Sequence, residues 1–340
     1  MTKPISCPKY ILGAILSAAV LFVVARKKDS TAQGLAKIRH CESMLNPSER
    51  LYVDPYAHRM FPGSWVQTAM GGNITRAAND WLLVDGMFDL LTLRTKWIDD
   101  AILAKAAAEE EEEEHKAEQL VILGAGYDTR GFRLDLPDGF VVWEVDQPGV
   151  QTEKRNILEG LATTDRTVAE RLGRSESRAP TVKFLGIDFN KDSIGERILS
   201  QPTFDRTKPT IVTLEGVSQY IPESSTATTL KQVRSFLAEG SVLLISYVPS
   251  EILEDQESAC PGRSFRLKWM FRLLRWIGEP WISTWNTMED FAFFLREHGY
   301  EVVEDVDFAV LNQRYLEPLN RGRKDDELCN LERYVVARVV

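Results

Sequence analysis

Histidine and cysteine are scarce in this chain of 340 residues, and neither is spaced for metal binding. The four histidines form no HExxH or HxH pattern. No CxxC pair occurs among the four scattered cysteines, Cys7, Cys41, Cys260 and Cys329. We therefore expect neither a metal centre nor a disulfide-stapled scaffold. Reduced cysteines are typical of a reducing compartment.

Clusters of basic residues are also lacking, although the chain has 41 lysines and arginines. A nucleic-acid-binding surface needs such clusters on one face, so no nucleic-acid partner is expected. Six of the fifty acidic residues form a single run, Glu109–Glu114, within a net charge of −9. Consecutive like charges repel and stay solvated. The run therefore predicts a solvated insertion, with an acidic interaction patch as the alternative.

The N-terminal region contains a long apolar run. Residues 10–25 carry no charge and are followed at once by Arg26, Lys27 and Lys28. At 1.5 Å per residue the run spans about 24 Å, slightly less than the ~30 Å core of a bilayer. The basic cluster after it predicts a membrane anchor with the following chain in the cytosol. A cleaved signal peptide and a buried helix are the alternatives; without an anchor, a cytoplasmic location is expected.

Short apolar runs recur from residue 120 onward, and helical stretches separate most of them. This alternation predicts an α/β fold with a doubly wound, mostly parallel sheet whose two faces are both buried. Two late runs have no obvious crossover helix between them, so they predict a terminal hairpin that adds one antiparallel strand. The seven predicted strands are 120–123, 141–145, 182–187, 211–214, 242–247, 301–308 and 334–340.

Upstream of the predicted sheet, residues 29–118 have a helical and irregular pattern. Residues 81–108 predict one amphipathic helix, because apolar and small side chains recur at helical spacing. Its predicted inner stripe is Trp81, Val84, Phe88, Leu91 and Thr95.

Small or acidic residues follow four of the predicted strands. In an open α/β sheet, ligands bind beyond the carboxyl ends of the strands. The sequence therefore predicts one crevice that receives Gly124, Gly126, Asp146, Asp188 and Glu215.

The turn Gly124–Thr129 narrows the choice of ligand. Thr129 stands where a dinucleotide fingerprint has its third glycine. A dinucleotide needs free helix amides for its pyrophosphate, whereas S-adenosylmethionine carries no phosphate. Asp146 can accept hydrogen bonds from ribose hydroxyls in either cofactor, although it could instead cap the helix that begins near Pro148.

Four segments together resemble the leucine carboxyl methyltransferase family. They are LGAGYDTR (123–130), WEVDQP (143–148), RTKWIDD (94–100) and LEGVSQYIP (214–222). RHCES (39–43), LYVDPYA (51–57) and GIDF (186–189) fit the same pattern. The resemblance covers roughly residues 35–340. It implies a Rossmann-like class I methyltransferase fold with seven strands, and S-adenosylmethionine as the cofactor.

The resemblance also assigns roles to individual residues. Gly124, Ala125, Gly126 and Asp128 would form the turn against the methionine moiety. Asp146 would hold the ribose, Asp188 and Phe189 would flank the adenine, and Glu215 would lie near the methionine amino group. Arg94, with Arg39 as a second candidate, would pair with the cofactor carboxylate.

Carboxylate O-methylation is the reaction that the resemblance implies, on a small molecule or a protein C-terminus. A carboxylate acceptor needs no general base, so none is assigned. Tyr220 could line the transfer site, and Glu144 or Glu215 are candidate bases if the acceptor is a hydroxyl. An NAD-dependent oxidoreductase and a non-catalytic scaffold are the alternatives. Acceptor specificity is expected from residues 46–75 and 249–290, the latter rich in tryptophan and arginine.

The predicted organisation has two parts. Residues 1–30 form a membrane anchor or signal segment, and residues 31–340 form a single S-adenosylmethionine-dependent methyltransferase domain. Within that domain we predict a helical N-terminal cap at 31–118, a cofactor-binding core at 119–248, a cap insertion at 249–290 and a terminal hairpin at 291–340.

Overall fold

The computed structural model describes residues 30–82, 86–107, 116–174, 178–189, 191–260, 262–324 and 327–340. The predicted anchor and the Glu109–Glu114 run lie outside these ranges. Within the described ranges, no helix combines the length and apolar character needed to cross a bilayer.

A seven-stranded sheet forms the centre of the fold, in the order β3-β2-β1-β4-β5-β7-β6. Neighbouring strands are parallel except where β7 pairs antiparallel with both β5 and β6. The predicted α/β class and single antiparallel strand are therefore confirmed. The strands are β1 (Gln119–Leu123), β2 (Val141–Asp146), β3 (Thr181–Gly186), β4 (Thr210–Leu214), β5 (Val242–Tyr247), β6 (Tyr300–Val306) and β7 (Arg333–Val339).

Both faces of the sheet are buried, which explains why its strands have continuous apolar sequences. Leu120 and Ile122 of β1 pack into the apolar cluster on one face, while Val121 and Leu123 pack into the cluster on the other. All five residues of β1 and of β4 are buried. A central parallel strand needs apolar side chains in both directions, so the runs show no alternation with polar residues.

Helices cover both faces of the sheet and precede it. Before β1 come α1 (Ser30–Ser43), α2 (Ser64–Met70), α3 (Gly72–Leu82) and α4 (Met87–Ala106). Between β1 and β5 come α5 (Arg130–Arg133), α6 (Pro148–Leu161), α7 (Arg166–Arg171), α8 (Ile194–Leu199) and α9 (Glu223–Arg234). After β5 come α10 (Glu251–Glu254), α11 (Gln256–Ala259), α12 (Ser264–Ile277), α13 (Met288–Glu297) and α14 (Phe308–Leu311).

The single helix predicted over residues 81–108 is wrong, because α3 ends at Leu82 and α4 begins at Met87. Gly86, before α4, has φ +86°, a left-handed conformation that glycine adopts without a steric penalty. A Cβ atom there would also come within 3.2 Å of the Phe308 ring. Phe88 and Thr95 of the predicted stripe are buried as expected.

The predicted terminal hairpin is correct in its pairing but not in its connection. Residues 307–332 between β6 and β7 include α14, a π-helical turn at Asn312–Leu316 and a 3₁₀ turn at Glu317–Leu319. Short helical turns lack the long periodic pattern by which a helix is predicted from sequence.

The expectation of reduced cysteines is wrong for one pair. Cys260 and Cys329 form a disulfide across a sequence separation of 69 residues, with Cα atoms 4.7 Å apart. Cys260 follows α11 and Cys329 precedes β7, so the fold joins two segments that no local spacing connects. Cys41 is a free, buried cysteine.

Candidate functional site

The turn after β1 is a tight one that two glycines make possible. Gly124 and Gly126 have φ values of +68° and +46°, in the region that glycine adopts without strain. Added Cβ atoms would come within 3.3 Å of the Val217 side chain and 3.2 Å of the Ala32 side chain, respectively. The Gly124 and Ala125 amides donate to the Val145 carbonyl at 2.9 and 3.1 Å, which ties the turn to β2.

Asp146, at the end of β2, supports this turn directly. One carboxylate oxygen accepts from the Gly126 amide at 2.5 Å, and the other accepts from the Gln147 amide at 2.6 Å. Helix α6 begins at Pro148 with Gln147 as its N-cap residue and no capping side chain. Asp146 therefore joins the two strand ends, and the alternative role as a helix cap is not what the structure shows.

Arg94 lies near the middle of α4 and is 4% exposed. Its Nε donates to Glu215 at 2.7 Å, and its Nη1 donates to Glu332 at 2.7 Å. Glu215 follows β4, while Glu332 directly precedes β7. Arg94 thus connects the helix before the sheet to the ends of two strands.

A second buried arginine, Arg130, completes this network from the start of α5. Its Nη1 donates to Asp128 at 2.6 Å and to Glu215 at 2.7 Å, and its Nε donates to Asp99 at 2.7 Å. Arg133, one turn later, binds both oxygens of Asp99 at 2.6 and 2.8 Å. Bidentate pairs of this kind fix side-chain orientation as well as charge.

Arg39 approaches the turn from α1. It donates to Asp54 at 2.9 Å and to the Tyr127 carbonyl at 2.6 Å. Asp54 also accepts from the Thr129 hydroxyl at 2.6 Å. Residues before the sheet are therefore bonded to the glycine turn on two sides.

Two carboxylates of the network, Glu215 and Asp128, are held ionised. Burial alone would raise the pKa of Glu215, but Arg130 and Arg94 outweigh it and hold that pKa below its usual value. Burial would likewise raise the pKa of Asp128, and Arg130 and Arg39 hold it well below its usual range. Carboxylates stabilised in this way bind protons weakly and are poor general bases.

A cavity opens between α1, the glycine turn and the end of β4, with a volume of about 550 Å³ including its mouth. Its charged lining is three arginines and two carboxylates. The lining residues are Ala32, Leu35, Arg39, Thr95, Ile122, Leu123, Gly124, Ala125, Gly126, Tyr127, Asp128, Arg130, Arg133, Thr213 and Glu215.

Six of the predicted site residues line this cavity: Arg39, Gly124, Ala125, Gly126, Asp128 and Glu215. Asp146 and Arg94 stand directly behind it, bonded to Gly126 and Glu215. Their assigned contacts with a cofactor stay predictions.

Asp188 and Phe189, at the end of β3, are not brought into the cavity. Asp188 pairs with Lys191 at 2.9 Å, and Phe189 is 41% exposed. The two residues predicted to flank the adenine therefore lie at the end of β3, outside the cavity lining.

Tyr220 also lies outside the cavity lining. Its ring meets the Trp281 ring edge-on at 6.5 Å, so it contacts residues 249–290. Burial raises the pKa of Tyr220 to about 12, which keeps the hydroxyl protonated at neutral pH. It can donate a hydrogen bond there but cannot act as a base.

Glu144, the other candidate base, is fully buried beside Lys154, with the two charged groups 2.5 Å apart. Burial raises the pKa of Glu144 to about 7, against the opposing influence of Lys154. Neither residue lines the cavity, so Glu144 has no direct access to a substrate there.

Five charged residues of the network were not predicted from the sequence: Asp54, Asp99, Arg130, Arg133 and Glu332. The first three lie within the segments LYVDPYA, RTKWIDD and LGAGYDTR, so their place in those motifs was an available signal. Glu332 carries no such signal, because its partner Arg94 is 238 positions away.

Comparison with known proteins agrees with this architecture. A model of the leucine carboxyl methyltransferase family matches residues 32–234. A protein of Mycolicibacterium paratuberculosis (strain ATCC BAA-968 / K-10), provisionally named an S-adenosyl-L-methionine-dependent methyltransferase, is 28% identical over 335 residues, covering 93% of this chain and 96% of its own length.

Two further relatives extend the comparison. A similarly named protein of Mycobacterium avium (strain 104) is 26% identical, covering 89% of this chain and 92% of its own length. The crystal structure of a DUF574 family protein from Streptomyces avermitilis MA-4680 shares the fold, with a TM-score of 0.52 at 15% identity, covering 90% of this chain and 97% of that one.

The family match spans more than half of the chain and includes the glycine turn, Asp146 and Glu215. It confirms the resemblance. The alternative interpretations, an NAD-dependent oxidoreductase and a non-catalytic scaffold, are therefore not adopted. The chain belongs to the leucine carboxyl methyltransferase family and is an S-adenosylmethionine-dependent methyltransferase.

Proposed function

We propose that this enzyme transfers the methyl group of S-adenosylmethionine to a carboxylate, forming a methyl ester. The observation that carries the proposal is the charge arrangement of the cavity. Three arginines line it against two carboxylates, and both carboxylates are already paired with arginine. Such a lining supplies no unpaired carboxylate that could deprotonate a hydroxyl, which a carboxylate acceptor does not need.

The residues of the crevice fit the cofactor. Gly124 and Gly126 carry no side chain that would cover the backbone of the turn, and Asp146 at the end of β2 places a carboxylate beside that turn, the type of group that accepts hydrogen bonds from ribose hydroxyls. Glu215 offers a carboxylate to the methionine ammonium group. When bound, the cofactor supplies a methyl group that its sulfonium has already activated.

The cofactor carboxylate needs a cation. Arg39 lines the cavity, whereas Arg94 stands behind Glu215 with Nε and Nη1 occupied. A guanidinium has five N–H donors, so Arg94 retains donors for a second anion. We assign the cofactor carboxylate to Arg94 and Arg39 together, and Asp188 and Phe189 to the outer edge of the adenine site.

A carboxylate acceptor suits what the chain's own groups can do. It is ionised at neutral pH, so the protein has to orient it and exclude water. Arg130 and Arg133 present cationic groups on the cavity wall, and Tyr220 retains its proton as a donor on the side of residues 249–290. A hydroxyl acceptor would instead need a base, and Glu215 is a weak one.

The test is the chemistry of the methylated product. The full-length protein is incubated with methyl-labelled cofactor and a cell extract that includes membranes, and the product is then treated with mild base. We expect the label to be released as methanol, since methyl esters hydrolyse under those conditions. Label that resists base, as an ether or an N-methyl group would, overturns the carboxylate assignment.

A matched pair of acceptors sharpens the result. Peptides ending in a free leucine carboxylate are compared with the same peptides ending in a leucine amide. Labelling of the acids alone supports a C-terminal carboxylate acceptor, while equal labelling of the amides contradicts carboxylate methylation. An Asp146→Ala variant serves as the control for label that does not depend on the cofactor site.

A further inference from the structure

Helix α12 (Ser264–Ile277) has an outward face built from aromatic and basic side chains. Its exposed residues are Phe265, Lys268, Trp269, Arg272, Arg275 and Trp276. At 100° per residue these six positions fall within an arc of about 120°. Phe265 is 78% and Trp276 is 70% exposed, which is unusual for large apolar side chains.

The opposite face of α12 already supplies the packing that holds the helix. Leu267 is fully buried, and Met270 and Phe271 pack against the main apolar cluster. Arg266 donates to the Asp80 carbonyl at 3.3 Å, which joins α12 to the end of α3. The outward aromatic residues are therefore not needed to attach the helix to the domain.

The charge of α12 contrasts with that of the whole chain. The helix contains four basic residues and no acidic one, although the chain as a whole has a net charge of −9. Glu257, on α11, is an acidic neighbour of α12: hydrogen bonds from Ser264 and the Gly262 amide lower its pKa most, and Lys268 adds to this. A cationic helix on an acidic protein points to an anionic partner.

Tryptophan and phenylalanine flanked by lysine and arginine are typical of helices that lie in the interface of a bilayer. We propose that the outward face of α12 binds the surface of an anionic lipid membrane. Three cations would contact lipid headgroups, while Phe265, Trp269 and Trp276 enter the boundary with the acyl chains. An acidic protein surface would match the charges but would not require three large apolar side chains in one row.

The location of α12 gives this surface a relation to the cavity. Phe271, on its inner side, packs against Trp281 with ring centroids 5.4 Å apart, and Trp281 in turn meets Tyr220. The proposed membrane face is thus the outer surface of the segment that lies over Tyr220. The proposal is independent of the chemical nature of the methyl acceptor.

Tryptophan fluorescence provides a local test in the full chain. Vesicles of phosphatidylcholine and phosphatidylserine with brominated acyl chains quench tryptophans that enter the interface. Residues 1–29 contain no tryptophan, so their own binding to vesicles does not contribute to the quenching directly. We expect quenching of the wild type and loss of at least half of it in Trp269→Phe/Trp276→Phe. Absence of quenching in the wild type, or unchanged quenching in that variant, overturns the proposal.

Control variants separate this face from other exposed residues. Trp65→Phe removes another highly exposed tryptophan, on α2, and should leave most of the quenching in place. Reversing the charge of Lys268, Arg272 and Arg275 to glutamate should reduce quenching on phosphatidylserine vesicles. The same reversal at the exposed Arg155, Arg166 and Arg206 should not. Equal effects of the two triple variants would show a response to net charge alone and would contradict docking through α12.

Discussion

The two sides of the crevice are built in different ways. Around the ends of β1 and β4, Asp128 and Glu215 are held by buried arginines that reach them from α4 and α5. At the end of β3, Asp188 forms an ion pair with the exposed Lys191, and Phe189 faces solvent. We call these the enclosed side and the open side.

The two sides differ in how firmly the fold alone fixes the orientation of their charged side chains. Each charged group of the enclosed side bonds to at least one partner on another element, so its orientation is fixed by the fold. Exposed ion pairs such as Asp188–Lys191 contribute little to stability. The enclosed side therefore resembles a preformed site.

The largest effect is expected from breaking the enclosed side at Arg94. Arg94→Met removes the partner of Glu332 and one of the two partners of Glu215, leaving a buried carboxylate uncompensated. Losing one member of a buried pair costs about 3–5 kcal/mol. We expect the free energy of unfolding in urea to fall by that amount, and cofactor binding measured by titration calorimetry to be lost.

Lys96→Met is the matched control, because Lys96 lies on the same helix in a partly exposed pair with Asp100. Its unfolding free energy should change by less than about 0.5 kcal/mol. Equal losses in the two variants would mean that the buried network has no special role.

A smaller but selective effect is expected at Asp146, where the two sides meet. Asp146→Ala removes a charged acceptor that holds the Gly126 amide and, on our proposal, the ribose hydroxyls. Hydrogen bonds to charged groups contribute about 1.5–3 kcal/mol each, so the affinity for S-adenosylhomocysteine should fall by roughly 100-fold. Calorimetric affinities unchanged from the wild type would refute the ribose assignment.

Acid should weaken the enclosed side in particular. The pKa values of Asp128 and Glu215 are lowered in the folded protein. Their contribution to stability is fully present above the unfolded pKa of about 4 and is lost as the pH falls through the folded-state values. Urea unfolding from pH 5 down to pH 3 should show a steeper loss in the wild type than in Glu215→Gln.

The smallest effects are expected on the open side. Asp188→Ala should change the unfolding free energy by less than about 0.5 kcal/mol, as is usual for exposed positions. Phe189→Ala should lower cofactor affinity by no more than about tenfold, since only part of one aromatic face is lost. Complete loss of binding in Phe189→Ala would show that the open side closes over the ligand and that the contrast between the sides disappears on binding.

The sequence predicted the strands and the glycine turn well, because these depend on local patterns. Continuous apolar runs placed every strand within two residues of its observed bounds. Asp146 and Glu215 followed from their positions at the ends of β2 and β4, whereas Asp128 followed from the family resemblance. Arg130 and its partner Asp99 were not predicted as site residues. No local sequence pattern tells whether an arginine in a short helix forms a buried ion pair or a solvated one.

Other features could not follow from local patterns at all. The disulfide and the Arg94–Glu332 pair join residues 69 and 238 positions apart. The break before α4 depends on how Gly86 packs against Phe308, which only the folded chain reveals. Sequence position at a strand end also did not indicate that Asp188 pairs with an exposed lysine while Asp128 pairs with a buried arginine.

The place of β7 has a consequence for how the enzyme is synthesised. Although it follows every other strand along the chain, it lies inside the sheet, between β5 and β6. A nascent chain on the ribosome therefore exposes the unpaired backbone of β5 until residues 333–339 have emerged, and such edges favour aggregation. Glu332 reaches Arg94 only at that same moment, so a translation product that stops earlier would lack both a closed sheet and a complete charge network.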